Sequence, residues 1–265
     1  MISAGVDIGS LTAKAVILKE GQWMASTLIP TGPDSVKAAE QLLERTTKAA
    51  ALTLEDLDYI VATGYGRVNV PFAHKNITEI SCHAKGTSWF YPDVRTILDM
   101  GGQDCKAIRI NKEGKITDFV LNDKCAAGSG RYLERIARLL EVGLDDVGPR
   151  SLAPVKGALP VDNLCVVFGE DGVLGFLRAG EHVNDILAGA ADALTSRILS
   201  LLRKVGVEEA FSISGGVAKN VGIVKRLEER LGITAFLAPD PQMVGAVGAA
   251  LFAEEMVSKE GRGTA

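Results

Sequence analysis

The chain has 265 residues, of which 47% are apolar and 5% aromatic, and its formal net charge is −4. This composition is typical of an α/β protein with a substantial core, and the negative charge without any basic run argues against a nucleic-acid-binding surface. No apolar run is long enough for a membrane span, and no secretory leader precedes the first predicted strand. We therefore expect a cytoplasmic protein whose four cysteines, at positions 82, 105, 125 and 165, are thiols rather than disulfides.

The first segment is predicted to form three strands, over residues 2–8, 13–18 and 23–29, joined by tight turns. A helix beginning at Pro33 and a buried strand over 59–62 follow. The loop Thr63-Gly64-Tyr65-Gly66-Arg67 after that strand is either a ligand-binding loop or an ordinary connection. The turn between the first two strands carries Asp7, Ser10, Leu11, Thr12, Ala13 and Lys14.

The opening pattern returns 92 residues later, between predicted strands at 96–98 and 107–110. The residues that match are Asp7 with Asp99, Gly9 with Gly101, and Lys14 with Lys106. A third strand follows each copy, so the sequence predicts an internal duplication.

Two such turns can hold a di- or triphosphate, because glycine permits close approach and turn N–H groups attract anions. Mg²⁺ prefers one or two carboxylates together with water and phosphate oxygens, which assigns that ion to Asp7 and Asp99. A single turn of this kind is also compatible with an ordinary hairpin; its repetition favours a ligand site.

Cys125 lies in a small-residue turn, Asn122 to Gly130, immediately before a predicted helix with Leu133, Ile136 and Leu140 on one face. A helix N-terminus favours a thiolate or an anion, so Cys125 is a candidate ligand or nucleophile; the alternative is a small buried apolar residue. A loop over 148–161 with three prolines leads to Cys165, which precedes a predicted short helix over 170–178 and is open to the same two interpretations.

The remainder is predicted as a long helix over 184–204, a strand over 210–213, a glycine-rich turn over 214–220, and a short strand over 234–237. The turn contains Gly215, Gly216 and Asn220 and is a third loop suited to a nucleotide. The small residues that begin at Val244 predict a helix that packs closely on its neighbours. Residues 258–265 are polar and glycine-rich, which predicts a loose tail. The three histidines lack metal-ligand spacing, which favours surface or capping roles.

These loops together resemble the nucleotide site of the superfamily of actin, sugar kinases and heat-shock chaperones. Residues 7–14 are similar to its first phosphate loop, 99–106 to the second, and 214–220 to its adenosine loop. The resemblance implies a duplicated, two-lobed, actin-like (ribonuclease H-like) α/β fold. The first lobe would span residues 1–94, with the helix of 240–265 packing back on it, and the second 95–239.

The stretch Asn122-Asp123-Lys124-Cys125-Ala126-Ala127-Gly128-Ser129-Gly130-Arg131 resembles a narrower family. This family comprises the ATP-dependent activators of 2-hydroxyacyl-CoA dehydratases and the ATPase subunits of benzoyl-CoA reductases. Further similar stretches are Ala62 to Arg67, Ser81 to Ala84 and Gly101 to Asp104, so the resemblance covers nearly the whole chain.

The resemblance implies an oxygen-sensitive homodimer with one [4Fe-4S] cluster at the subunit interface, held by Cys125 and Cys165 of each chain. ATP binding and hydrolysis would drive a low-potential electron to an iron–sulfur dehydratase or reductase partner, with ferredoxin or flavodoxin as electron donor. The segment 122–141 would relay the nucleotide state to the cluster. The segment Phe168 to Val173 departs from the family pattern. Its two glycines should weaken the helix by about 1 kcal/mol each relative to alanine.

Within this resemblance, Asp7 and Asp99 lie near Mg²⁺ and Gly128 is a further cofactor-binding residue. The phosphate contacts are Ser10, Thr12, Lys14, Gly101, Gly102 and Gln103. Gln103 or Asp104 would orient the attacking water, because phosphoryl transfer depends mainly on positioning and charge neutralisation. The runner-up function is a small-molecule kinase without a cluster, using Asp104 or Asp123 to activate a hydroxyl acceptor. A third possibility is an actin-like assembly or regulatory module. The sequence names neither the partner enzyme nor its acyl-CoA substrate.

Overall fold

The structure is a computed structural model that describes residues 1–122, 129–162 and 166–260. Backbone contacts divide the described residues into two compact units. The first unit draws on segments 1–94, 110–116 and 238–265, and the second on 95–109 and 117–237.

The elements follow the chain in this order. The first half contains β1 (Ile2–Ile8), β2 (Thr12–Lys19), β3 (Gln22–Pro30), α1 (Ser35–Ala49), β4 (Tyr59–Thr63), β5 (Lys75–Asn76), α2 (Glu79–Phe90), β6 (Thr96–Met100), β7 (Cys105–Ile110) and β8 (Ile116–Leu121). The second half contains α3 (Gly130–Leu139), α4 (Leu144–Ser151), α5 (Val166–Arg178), α6 (Val183–Val205), β9 (Phe211–Ser214), α7 (Val221–Leu231), β10 (Ala235–Phe236) and α8 (Val244–Glu260).

The first unit is built on a sheet with strand order β3-β2-β1-β4-β5. β1 pairs antiparallel with β2 and parallel with β4. Alternate residues of β2 face opposite sides, since Ala15 and Ile17 pack with Leu42 of α1, whereas Val16 and Leu18 pack with Val247 of α8. The central strands β1, β2 and β4 are therefore buried on both faces, which explains why their residues are nearly all apolar.

Small residues let α8 pack closely on its neighbours, as its sequence predicts. A Cβ atom at Gly5 of β1 would meet the backbone of Ala246, and one at Gly248 would meet the backbone of Cys82 in α2. The absence of side chains at these points brings the helix backbone against the sheet.

The second unit repeats this plan with strand order β10-β9-β6-β7-β8. β6 pairs antiparallel with β7 and parallel with β9. Its core joins Leu98 of β6 and Phe211 of β9 to Ile136 of α3, Ile198 of α6 and Leu227 of α7. None of the helices within the described ranges combines the length and apolar character that a membrane span requires.

Three helices differ from the sequence predictions. Helix α2 was not predicted, and α5 begins at Val166 rather than at Glu170. The loop predicted to start at Gly148 is wrong, because Gly148 and Pro149 lie inside α4. Acidic residues in the first turn of α4 and Arg150 in its last turn suit the helix dipole, and buried Val147 anchors the helix to the core.

Candidate functional site

The first hairpin turn places a carboxylate and an ammonium group together. Asp7 ends β1 directly opposite Lys14 of β2, and Lys14 Nζ lies 3.1 Å from Asp7 Oδ2. The turn closes where Gly9 N donates to Thr12 O at 3.1 Å. Asp7 is only 5% exposed, so this ion pair is screened weakly by solvent.

The second hairpin repeats this geometry. Asp99 is opposite Lys106, their Oδ2 and Nζ atoms lie 3.1 Å apart, and Gly101 N donates to Asp104 O at 2.9 Å. Lys106 is 1% exposed and lies 2.9 Å from Asp104 Oδ2 as well. Lys14, which was predicted to contact phosphates, is therefore also the counterion of Asp7, and Lys106 is the counterion of Asp99. Asp7 and Asp99 are the two predicted Mg²⁺ carboxylates.

Each copy also has a hydroxyl–glycine pair on the parallel strand beside the aspartate. Thr63 of β4 pairs with Asp7, and Ser214 of β9 pairs with Asp99. The next residues, Gly64 and Gly215, have φ angles of +84° and +85°. A Cβ at Gly64 would collide with Asp7 Oδ1, and a Cβ at Gly215 would lie 2.7 Å from Asp99 Oδ1.

The glycine turn at 215 was predicted from the sequence, but its correspondence to Gly64 was not. The signal was present, since a hydroxyl residue followed by glycine ends a buried strand in both copies. Each aspartate is thus enclosed by its lysine on one side and, on the other, by a position that only a residue without a side chain can occupy.

Carbonyl groups of both turns accept hydrogen bonds from neighbouring segments. In the first turn, Thr31 Oγ1 donates to Gly9 O at 2.7 Å, and Thr31 N donates to Leu11 O at 2.9 Å. In the second turn, the first amides of α3 bond to two carbonyls: Gly130 N donates to Gly101 O, which matches Gly9 O, at 3.0 Å, and Arg131 N donates to Gly102 O at 2.8 Å. The start of α3 is therefore fixed to the second turn.

The other predicted nucleotide residues occupy the turns in different ways. Ser10, Leu11 and Thr12 are partly exposed, whereas Ala13 is buried in the core and offers only its backbone. Gln103 and Gly216 are exposed, and Gly102 is partly exposed. Asn220 caps α7, where its Oδ1 accepts a hydrogen bond from Ile223 N at 3.1 Å.

His83 is buried in α2, so the predicted surface or capping role is wrong for this residue. A Cβ placed on Gly245 would lie 2.9 Å from His83 Nε2 and 3.2 Å from Asp7 Oδ2. The imidazole and the Asp7 carboxylate therefore both lie next to Gly245. The prediction holds for His182, whose side chain caps α6 by accepting from Asn184 N. His74 is exposed, and its Nδ1 accepts from Ile60 N.

Cys125, Cys165 and Gly128 lie outside the described residues. Cys82 and Cys105 are free thiols in the core. Burial raises the pKa of Cys82 to about 12, and burial with the nearby Asp99 charge raises the pKa of Cys105 well above its usual range. In the portion of the chain that the structure describes, no group of three or more His, Cys, Asp or Glu side chains is placed to hold a metal ion.

Residues 4–253 match the model of the BadF/BadG/BcrA/BcrD ATPase family. The activator of lactoyl-CoA dehydratase from Anaerotignum propionicum is 42% identical over 261 residues, which cover 98% of this chain and 100% of that protein. The (R)-2-hydroxyglutaryl-CoA dehydratase activating ATPase of Acidaminococcus fermentans is 38% identical, covering 96% and 98% of the two chains. A benzoyl-CoA reductase subunit of Thauera aromatica is 31% identical, with 95% and 92% covered.

Solved structures agree with these relatives. The activator of the 2-hydroxyisocaproyl-CoA dehydratase from Clostridium difficile, with bound ADPNP, has a TM-score of 0.93 and 37% identity, covering 99% of this chain and 97% of that one. A glucokinase of the ROK family from Streptomyces griseus has a TM-score of 0.56 at 15% identity, over 96% of this chain and 100% of that one, which concerns the fold alone. The predicted actin-like α/β fold and the predicted family resemblance are both confirmed.

Proposed function

The chain belongs to the BadF/BadG/BcrA/BcrD ATPase family, and on that premise we propose that it is an ATP-hydrolysing activator of a CoA-ester dehydratase or reductase. In this function it delivers a low-potential electron to a 2-hydroxyacyl-CoA dehydratase or a benzoyl-CoA reductase-type partner. The observation that carries the proposal is the match to a lactoyl-CoA dehydratase activator over nearly the full length of both chains.

The two hairpin turns are the proposed phosphate contacts. The amides of Ser10 to Ala13, and of Gly102 and Gln103, bind phosphate oxygens, and Lys14 supplies positive charge. The N–H of Gly101 is donated to Asp104 O, so Gly101 contributes only the close approach that a residue without a side chain permits. Asp7 and Asp99 are the carboxylates that would hold Mg²⁺, an ion that takes few carboxylates and keeps several waters. Gly215 and Gly216 approach the adenosine. Either Gln103, which is exposed, or Asp104, which is partly exposed, orients the attacking water.

The proposed cluster ligands are Cys125 and Cys165. Cys82 and Cys105 do not suit this role, because both side chains are buried in the core of the chain and cannot reach a cluster shared between two subunits. Two ligands per chain supply four in a homodimer. A [4Fe-4S] cluster, when bound, supplies the one-electron redox chemistry that the other side chains lack. The electron is received from a donor such as ferredoxin or flavodoxin.

Helix α3 is the proposed relay between the nucleotide and the cluster ligands. Its first amides bind the carbonyls of Gly101 and Gly102, so a shift of the second turn on phosphate binding displaces the helix. Further along α3, Arg135 Nη2 donates to Glu170 Oε2 of α5 at 2.8 Å. Because α5 begins one residue after Cys165, the ion pair connects α3 to a helix next to a proposed ligand.

The test measures iron, acid-labile sulfide and native mass on protein prepared without oxygen, for the wild type and the Cys125→Ala and Cys165→Ala variants. We expect about four irons per dimer in the wild type and their loss in both variants. Cys82→Ala is the matched control, because it removes a buried thiol that has no proposed ligand role and should retain the iron. ATP-dependent activation of a purified dehydratase then tests the function itself.

A monomer that takes up no iron, even after reconstitution, would contradict the electron-transfer function. That result would leave the small-molecule kinase as the better interpretation, and phosphorylation of a hydroxyl acceptor would be assayed next. Retention of iron in either cysteine variant would overturn the assignment of that ligand alone.

A further inference from the structure

His83 is a buried histidine to which the proposed function gives no role. It lies on α2 with 6% exposure, whereas histidine side chains are on average only partly buried. The first turn of α2 fixes its position, because Thr78 caps the helix by accepting a hydrogen bond from Ser81 N. Burial of an imidazole is costly unless polar groups lie near its nitrogens, so its neighbours indicate what it does.

The packing of α2 on α8 holds the imidazole in place. A Cβ at Gly86 of α2 would collide with the carbonyl oxygen of Val244 in α8. One at Gly248 of α8 would collide with the carbonyl oxygen of Cys82 in α2. The two helix backbones are therefore in direct contact just before and just after His83 along α2, which restricts the rotation of its side chain.

The Asp7 carboxylate lies next to this imidazole. The position of a Cβ atom on Gly245 is 2.9 Å from His83 Nε2 and 3.2 Å from Asp7 Oδ2. One point beside α8 is thus within hydrogen-bonding distance of both atoms, so they are either in direct reach or separated by the span of one water molecule. The same carboxylate oxygen lies 3.1 Å from Lys14 Nζ.

The second copy of the hairpin surrounds its aspartate differently. There Ser214 Oγ donates to Asp99 Oδ1 at 3.4 Å from the neighbouring parallel strand. Thr63 is the counterpart of Ser214 in the first copy, but its hydroxyl lies against the Cys82 thiol. Beside its lysine, the first aspartate therefore has an imidazole as a polar neighbour and the second has a hydroxyl.

The Asp7 carboxylate suits the Mg²⁺ of the proposed nucleotide site. A glycine lies against each of its oxygens, Gly64 at Oδ1 and Gly245 at Oδ2, so neither position covers the carboxylate with a side chain. Mg²⁺ takes few carboxylates and keeps several waters, which need such space. A carboxylate that binds a metal ion is itself held by hydrogen bonds, and loss of such a partner typically lowers metal affinity about 10- to 100-fold.

We propose that His83 is a positioning residue for Asp7. Its Nε2–H group donates a hydrogen bond toward Asp7 Oδ2 across the space beside Gly245. Together with Lys14 it fixes the orientation of the carboxylate that would hold Mg²⁺. The inference deepens the proposed function and rests on its nucleotide site. The stretch Ser81 to Ala84 resembles the family in sequence, but that resemblance assigns no role to the histidine.

The experiment measures the Kd of an ATP analogue by calorimetry, once with Mg²⁺ and once with EDTA, for the wild type, His83→Leu, His83→Gln and Gly245→Ala. His83→Leu removes the donor, so we expect the Kd with Mg²⁺ to rise about 10-fold and the Kd with EDTA to change little. His83→Gln keeps an N–H donor and should restore most of the Mg²⁺-dependent affinity. Gly245→Ala places a methyl group between the two side chains and should resemble His83→Leu.

The matched control for the glycine variant is Gly172→Ala. It also adds a methyl group to a helix, but nothing lies within 4 Å of the added Cβ, so both Kd values should equal those of the wild type. Thermal unfolding of every variant identifies any that fails to fold. If His83→Leu is one of them, Gly245→Ala and His83→Gln still test the proposal through the ratio of the two Kd values.

A second measurement needs no substitution in the protein under study. The chain has three histidines, so protein labelled with ¹⁵N in histidine gives few imidazole signals, and His83→Gln identifies that of His83. We expect the signal of its protonated Nε2 to shift when Mg²⁺ is added to the complex with the ATP analogue. The signals of His74 and His182 should stay unchanged.

Wild-type Mg²⁺ dependence in His83→Leu and Gly245→Ala, with no shift of the His83 signal, would overturn the proposal. The proposed function would then still stand, because its nucleotide site would bind Mg²⁺ without help from the imidazole. A wild type that binds no ATP analogue under either condition would overturn the proposed nucleotide site, and the role of His83 with it.

Discussion

Lys106 Nζ lies 2.9 Å from Asp104 Oδ2. In the first copy the position that matches Asp104 is Thr12, which has a hydroxyl group in place of the carboxylate. Lys106 is consequently surrounded by two carboxylates, Asp99 and Asp104, and is almost fully buried. The two copies share a plan, but the second binds its lysine more tightly.

The first prediction concerns this buried charge. Lys106→Met leaves Asp99 buried without its counterion, and such a change typically lowers the free energy of unfolding by about 3–5 kcal/mol. Lys14→Met should cost less, because the side chain of Lys14 is 13% exposed and that of Lys106 is 1% exposed, so the first ion pair is less completely removed from water. Urea denaturation of both variants checks this order, and equal losses would contradict it.

The second prediction concerns Gly215. Gly215→Ala combines a strained positive φ with a collision against the Met100 carbonyl, so it should lose about 3 kcal/mol or more of stability and most nucleotide affinity. Gly232→Ala is the matched control, because φ there is +69° but nothing lies within 4 Å of the added Cβ. It should lose only about 1 kcal/mol and keep full affinity, as measured by calorimetry with an ATP analogue.

The third prediction separates nucleotide binding from hydrolysis. Gln103 is exposed on the second turn, so Gln103→Ala should leave the fold and nucleotide Kd nearly unchanged. Its ATPase kcat should fall by roughly 10- to 100-fold if the amide orients the attacking water. Steady-state hydrolysis and fluorescent nucleotide titration provide the two numbers, and an equal loss in both would remove Gln103 from this role.

The fourth prediction concerns Cys82. Its pKa of about 12 means that about one side chain in ten thousand is a thiolate at pH 8, so native protein should resist alkylation there. The unfolded thiol ionises near 9.0 and the folded one does not, so the stability contributed by this group falls as pH rises from about 9 towards 12. Cys82→Ala should reduce that alkaline loss. Peptide mapping after alkylation and denaturation curves at several pH values measure both effects.

The fifth prediction tests the relay. Arg135→Ala should change stability by less than about 1 kcal/mol, because the pair with Glu170 is partly exposed. It should, however, reduce the difference in cluster potential between the ADP and ATP-analogue states. Arg230→Ala removes a comparably exposed ion pair with Asp192 and serves as control. If wild-type potential and spectrum were the same with both nucleotides, the relay itself would lose its support.

Much of the fold follows from local sequence signals. The hairpins of both copies are predictable because apolar strands alternate with Asp-Gly turns, and pairing Asp7 with Lys14 requires only the correct register. The small residues of α8 predict close packing and the structure confirms it. These features depend on residues near one another in the chain, or on a repeated pattern.

The missed features depend on residues far apart in the chain. Helix α2 has a weak apolar stripe, and Gly86 within it allows contact with the backbone of Val244, so its burial is set by tertiary packing. His83 looked like a surface residue for the same reason. The steric need for glycine at position 64 comes from Asp7 on β1, which lies beside β4 but far away in the chain. The proline of α4 obscured a helix that its contact with the core stabilises.

The bonds from α3 to the second turn also determine which way the peptide units of that turn face. A trans peptide is planar, so the carbonyl of one residue and the N–H of the next point in opposite directions. With the carbonyls of Gly101 and Gly102 directed at Gly130 and Arg131, the amides of Gly102 and Gln103 are directed away from the helix. The positive end of α3 thus orients two donors, and any anion that they bind is held on the side of the turn opposite α3.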